Sequence, residues 1–198
     1  RSYPVTRIIK AGLHMDRLGP WTQTSHHYSW KSKRIPSYLA TALPWRVVED
    51  GRLRYLEQPE RWPNVVLCAG DEDWEDYVLD VTVVPLSRGR CGVLFRYQTS
   101  RRNYYLAFEN GRKLSLYRRT DDDLVLLRSV PFRYKTRTPQ AVRAVLNGDR
   151  IEVHVNGGLQ FVAADAALRN GKIGLRSDAP VRYADVQVRM DRTALTLV

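Results

Sequence analysis

The chain has 198 residues and a mass of 22.9 kDa, enough for one domain with a sizeable core and too little for most multidomain enzymes. With 43% hydrophobic and 27% charged residues it is not a disordered chain, and no apolar run approaches the roughly 20 residues that span a bilayer. The formal net charge is +11, from 26 Arg and 6 Lys against 21 acidic residues, but the basic residues are scattered from Arg1 to Arg192.

Guanidinium groups grip carboxylate or phosphate in a planar fork, so the arginine bias favours an anionic partner. Scattered charge raises solubility and weak polyanion attraction without defining a site. No zinc-finger spacing, RNP-like strand or basic heptad helix accompanies the excess, so nucleic acid is not the expected partner. The sequence opens on Arg1 without a leader-type apolar segment, and it reads as processed or excised from something longer.

Residues 1–44 hold Pro4, Pro20, Pro36, Pro44, Trp21, Trp30 and the pair His26-His27, with little alternation. Such a segment is too aromatic for a solvated tail, and the expectation is an irregular stretch that packs its rings on the rest of the fold. Ile35 to Ala42 is a weak helical candidate limited by its flanking prolines. From residue 45 to 198 the pattern changes. Asp50-Gly51, Asn110-Gly111, Asn147-Gly148, Asn156-Gly157 and Asn170-Gly171 are turn dipeptides that tolerate the positive φ of tight hairpins.

Period-two apolar alternation lies between these corners. It runs through Tyr77, Leu79, Val81 and Val83, then Val93 and Phe95, then Tyr104, Leu106 and Phe108, then Leu114 and Leu116. It resumes with Val142, Ala144 and Leu146, Ile151, Val153 and Val155, Ile173 and Leu175, and ends with Val186, Val188 and Met190. About ten such strands, with one weak helical turn at Ala163 to Leu168, predict an all-β protein of two antiparallel sheets packed face to face. Cys68 and Cys91 leave two options: a disulfide closing a loop of about 24 residues, contributing on the order of 3 kcal/mol, or two buried thiols.

The ordered motifs "WRVVEDGRLRY", "DWEDYVLDVTVVP", "GVLFRYQTSRRNYYLAFENG", "KLSLYRR", "AVLNGDRIEVHVNG", "GKIGLRSD" and "VRYADVQV" resemble the concanavalin A-like lectin/glucanase superfamily, specifically the laminin-G-like modules of carbohydrate-active proteins. The resemblance covers roughly residues 45 to 190. It implies a jelly-roll sandwich whose concave face binds glycans in relatives, and a secreted or cell-surface setting. One scaffold hosts unrelated activities, so the function has to come from the site. Many laminin-G-like modules hold one structural calcium. On the resemblance Asp185 takes the position of an aspartate that often ligates it, with Asp16 or Asp50 completing the shell; otherwise Asp185 bonds a neighbouring backbone amide.

Some relatives are glycosidases with alternating carboxylates on one strand, a spacing that sets the distance between nucleophile and acid. The nearest match, Asp71, Asp73 and Glu75, departs from that pattern and reads as a solvated turn. The signatures of one jelly-roll polysaccharide lyase family, Arg-Glu-Leu-Arg, Gln-Ile-His and Tyr-Phe-Lys, are not found. His154, between Val153 and Val155, points away from the core and reads as incidental, as does His26-His27.

If Val93 and Phe95 face the core, Leu94 and Arg96 face outward, and the same alternation turns Tyr105, Glu109, Ser115, Tyr117 and Arg143 outward. Arg96, Tyr105, Tyr117 and Arg143 are therefore the candidate ligand-binding residues, rings for a pyranose face and guanidinium groups for hydroxyls or acidic substituents. The competing readings are cross-strand stabilisation of an exposed sheet and an Arg96–Glu109 ion pair. The expected function is a non-catalytic glycan-binding or accessory domain whose partner is a carbohydrate, anionic or neutral, and beside it a larger catalytic domain or subunit. The alternative is a glycoside hydrolase or polysaccharide lyase that draws groups from the first 45 residues.

Overall fold

The computed structural model describes residues 22–25, 45–51, 53–190 and 193–196. The expected irregular 1–44 segment lies outside the described residues except for one short strand. In chain order the strands are β1 (Thr22–Ser25), β2 (Arg46–Asp50), β3 (Leu53–Gln58), β4 (Val65–Ala69), β5 (Tyr77–Pro85), β6 (Arg90–Thr99), β7 (Arg102–Glu109) and β8 (Lys113–Thr120). They continue as β9 (Asp123–Pro131), β10 (Gln140–Asn147), β11 (Arg150–Val155), β12 (Gly158–Ala164), β13 (Lys172–Ser177), β14 (Val181–Met190) and β15 (Thr193–Thr196).

One sheet has the order β1-β4-β13-β6-β7-β8-β9, and the other β12-β11-β10-β5-β14-β3-β2, with β15 beside β14. Ladders throughout are antiparallel. This is the all-β sandwich of two antiparallel sheets that the alternation predicts, in the jelly-roll form that the resemblance implies. No helix among the described residues is long and apolar enough to cross a membrane.

The alternating residues read from the sequence meet between the sheets. Leu79, Val81, Val83, Ala144, Val153 and Val188 of one sheet face Val93, Phe95, Leu106, Phe108, Leu116 and Leu175 of the other in one buried cluster. Fully burying each such side chain contributes roughly 1.5–3 kcal/mol, which fixes register because a one-residue slip would turn the whole set to the other face. The Asn-Gly corners act as expected where they close hairpins: Asn156 and Gly157 both have positive φ, 53° and 80°, between the paired residues Val155 and Gly158. Ala163 sits at the end of β12 rather than in a helical turn, because that chain segment completes the sheet edge.

Tyrosines tie the two layers together. Tyr183 on β14 crosses the core, and its hydroxyl accepts from the Gly92 N–H at 3.1 Å and lies 2.9 Å from the Gly92 and Arg176 carbonyl oxygens. Tyr77 on β5 accepts from the Arg96 N–H at 2.8 Å. Tyr104 donates to Asp165 Oδ1 at 2.6 Å and accepts from the Leu168 N–H.

Cys68 and Cys91 are both free and buried. Cys91 belongs to the inner core and Cys68 to the opposite face of the same sheet, so their side chains diverge and the disulfide option is closed. Burial pushes the thiols up, to about 11 for Cys68 and about 12 for Cys91, leaving them protonated and unreactive at neutral pH.

The outer face of the β5-containing sheet is crossed by guanidinium–carboxylate clusters. Glu57 on β3 accepts from Arg182 Nε at 2.5 Å and from Arg46 Nε at 2.9 Å, its neighbours across the ladder. Asp80 accepts from Arg143 Nε at 2.6 Å and Arg189 Nη2 at 2.5 Å. Burial alone would raise the Glu57 carboxyl, but the hydrogen bonds and charges of Arg182 and Arg46 outweigh it and hold the group below its ordinary value. A depressed carboxyl stabilises the fold above the unfolded-state range, and that contribution is lost as pH falls through the lowered folded value. Glu57→Gln is expected to cost about 1–3 kcal/mol in urea unfolding at pH 7, with the difference from wild type closing as the pH is taken well below the ordinary carboxylate value. A second test addresses sheet spacing. A Cβ at Gly92 would lie 1.9 Å from the Leu106 carbonyl oxygen, so Gly92→Ala is expected to lower the unfolding free energy by about 3 kcal/mol.

Candidate functional site

The outer face of the β6-containing sheet is built differently. Register aligns Cys68, Gly174, Leu94, Tyr105, Tyr117 and Leu126 in one row across β4, β13, β6, β7, β8 and β9. The adjacent row is Val66, Arg176, Gly92, Ala107, Ser115 and Ser129. A third aligns Arg90, Glu109 and Lys113. An apolar and aromatic row therefore runs beside a row of small residues, with charge beyond it.

The small residues let the rings lie down over the sheet. Tyr117 reaches across the Ala107–Ser115 row, and its hydroxyl donates to Glu109 Oε1 at 2.7 Å. Glu109 also faces Arg90 and Lys113, each at 3.7 Å, and the Arg90 guanidinium sits 5.7 Å from the Tyr117 ring centroid. Because Gly92 has no side chain, Arg176 on β13 stacks over Tyr105 on β7, its Cζ 4.4 Å from the ring centroid. Arg176 donates to Asn64 Oδ1, and the Asn64 N–H donates to Asp178 Oδ1 at 2.6 Å.

Val66, Cys68, Leu94, Tyr97, Tyr105 and Ala107 form a second buried apolar cluster on this face, with Tyr117 packed against it. The Tyr105 hydroxyl within it and Nε of Arg176, stacked over Tyr105, have no hydrogen-bond partner. Tyr105 is 2% exposed. The hydroxyls of Tyr77, Tyr104 and Tyr183, equally enclosed, all hydrogen-bond to backbone or carboxylate groups. Burial first of all, with the Asp178 charge adding to it and Arg176 opposing, pushes the Tyr105 hydroxyl well above its ordinary value. Burial and the bond to Glu109 push Tyr117 up as well. Both hydroxyls are protonated donors at neutral pH and do not supply a general base there.

The structure brings two of the four sequence-derived candidates together, Tyr105 and Tyr117, directly paired on neighbouring strands. It separates the other two. Arg96 does not face outward with Leu94. It has φ of 46° at a bulge where the β13 and β7 ladders shift register, and the extra residue turns its side chain aside. Its guanidinium, 1% exposed, donates to the Leu168 and Glu75 carbonyl oxygens and to Asp76, not to Glu109. Tyr97, the next residue, takes the outward place. Arg143 is outward, but on the other sheet, paired to Asp80.

Arg176, Asn64 and Arg90 were missed by sequence reading. The signal for Arg176 was present, since Ile173 and Leu175 alternate inward and leave Gly174 and Arg176 on the other face. Asp71 and Asp73 occupy an exposed turn in which the Asp73 N–H donates to Asp71 Oδ1 at 3.1 Å. His154 lies 2.6 Å from Glu152 Oε1 on the sheet opposite Tyr105. His26-His27 lies outside the described residues.

The Asp185 carboxylate accepts from the Thr82 hydroxyl at 3.0 Å and Asp50 is paired to Arg182, while Asp16 lies outside the described residues. Among the described residues no group of three or more His, Cys, Asp or Glu is placed to hold a metal ion.

Solved structures share this two-sheet jelly-roll sandwich at low sequence identity. The carbohydrate-binding module CBM66 from Bacillus subtilis superposes with a TM-score of 0.64 at 12% identity over 74% of this chain and 96% of its own. An alginate lyase from Corynebacterium sp. gives 0.53 at 15% identity, covering 78% and 82%, and the galectin LEC-6 from Caenorhabditis elegans gives 0.50 at 12% identity, covering 72% and 100%. The chain belongs to the 3-keto-alpha-glucoside-1,2-lyase-like domain family, whose model matches residues 16–189. No curated protein matched the sequence at a significant level.

An enclosed hydroxyl without a partner costs about 1–3 kcal/mol. Tyr105→Phe, which removes only that oxygen, is expected to raise the thermal unfolding midpoint of the ligand-free protein, whereas Tyr104→Phe, which breaks satisfied bonds, is expected to lower it. Differential scanning calorimetry of the two variants reads the contrast.

Proposed function

We propose that the chain is a carbohydrate-recognition module of secreted or cell-surface setting that binds a saccharide on the outer face of the β6-containing sheet, with Tyr117 supplying ring surface and Tyr105, Arg176 and Arg90 supplying donors. The observation that carries this reading is the Tyr105 hydroxyl, enclosed and unpartnered beneath the Arg176 guanidinium, whose own Nε–H is also without an acceptor. Aromatic faces stack on the C–H face of a pyranose while guanidinium groups donate to its oxygens. The fold shared with a carbohydrate-binding module and a galectin supports it, and the net charge of +11 favours acidic chains over neutral ones.

A second reading, a hydrolase or lyase acting on a saccharide, draws on the family match and on the alginate lyase fold. The protonated tyrosines favour binding over base catalysis at neutral pH.

Isothermal titration against acidic and neutral oligosaccharides separates the readings when paired with assays for reducing ends and for the absorbance of unsaturated uronates. The expected result is saturable heat without turnover, weakened about tenfold or more by Tyr117→Ala. Absence of heat with every saccharide contradicts the binding reading, and sustained turnover moves the chain to the second.

A further inference from the structure

The enclosed donors on this face specify more than a sugar ring. Arg96, which is buried, and Arg118 and Arg182, which are half-buried like Arg176, each close on a carboxylate: Asp76, Asp165 and Glu57. Arg176 is partly exposed, and its hydrogen bond goes to the neutral amide oxygen of Asn64. Among the described residues it has no ion pair, and its Nε–H, like that of Arg118, is enclosed with nothing to donate to. The Tyr105 hydroxyl, in the ring over which that guanidinium lies, is the second enclosed donor on this face without an acceptor.

Local charge points the same way. Arg176, Arg90 and Lys113 face two carboxylates, Asp178 through Asn64 and Glu109 directly, which leaves one positive charge unbalanced. A neutral hydroxyl brings an oxygen but also a hydrogen that needs its own acceptor. A carboxylate accepts from several donors at once, matches the guanidinium plane and cancels the charge.

We propose that Arg176 and Tyr105 form a carboxylate-binding subsite, so that the saccharide recognised here carries a uronic acid. The subsite rests on the carbohydrate reading of this face and names the substituent that reading leaves open. The exposed edge of Arg176 admits the acid group from solvent. The Asp178 carboxylate accepts from the Asn64 N–H at 2.6 Å.

The test is titration with oligogalacturonate, oligomannuronate, oligoguluronate and oligoglucuronate, each beside its carboxyl-reduced counterpart of the same linkage and length. The expected result is that at least one uronate binds tenfold or more tightly than its reduced form, that added salt erodes the difference, and that Arg176→Gln abolishes it. Tyr105→Phe, an isosteric change that preserves the fold, is expected to weaken the uronate several-fold more than the reduced form, and it keeps the test decisive should Arg176→Gln fold poorly. Equal affinity for acid and reduced forms overturns the subsite while leaving carbohydrate recognition standing, and so does tighter binding of a sulfated oligosaccharide than of every uronate. Absence of binding by all of them overturns both.

Discussion

A pleated strand sends consecutive side chains to opposite faces, and in β7 both of those faces are enclosed. Tyr104 and Tyr105 are neighbours in sequence with opposite fates. Tyr104 turns inward, stacks with Phe95 at a centroid distance of 5.8 Å and hydrogen-bonds Asp165 and Leu168. Tyr105 turns to the other face, is just as enclosed, and is left without a partner. Buried polar groups are ordinarily satisfied, and the Tyr105 hydroxyl stands with Trp45 Nε1, the Gln58 amide, Asn103 Oδ1, Arg118 Nε and Arg176 Nε as an exception, the one of these that lies directly beneath another, Arg176.

The arginine excess divides between the two sheets. On the β5-containing sheet Arg143, Arg189, Arg46 and Arg182 surround Asp80 and Glu57, and their charge is spent on holding neighbouring strands in register. On the β6-containing sheet Arg176 stacks on a ring and meets an amide. The same residue type thus serves cross-strand stabilisation on one face and meets a ring and a neutral amide on the other. Tyr183 links the two, since its hydroxyl reaches from β14 to the backbone of Gly92 and Arg176 and fixes the strand positions beneath the site.

The inner core was legible in the sequence because period-two alternation and Asn-Gly turns are local signals: every inward residue named from Tyr77 to Val188 lies in the core. Strand β4 was not, since Val65–Ala69 is buried on both faces and shows no alternation. Strand β9 escaped for a related reason, its "DLVLLRSVP" being an edge whose Leu124 and Leu126 are exposed. The error at Arg96 came from the bulge, because one extra residue breaks the parity on which outward assignment rests. The error at Arg143 was topological: alternation tells which face of a strand a residue takes, but not which sheet that strand joins. Tyr105 and Tyr117 take the outward placement read from the sequence because β7 and β8 form a plain hairpin in which parity holds.

The most direct test is a titration followed by backbone and arginine side-chain NMR with any saccharide that produces heat in calorimetry. Shifts concentrated at Tyr105, Tyr117, Gly92 and the Arg176 Nε–H would place the ligand on the β6-containing sheet, as the unpartnered donors require. Shifts concentrated at Arg143, Asp80 and Arg189, with Arg176 unmoved, would contradict it.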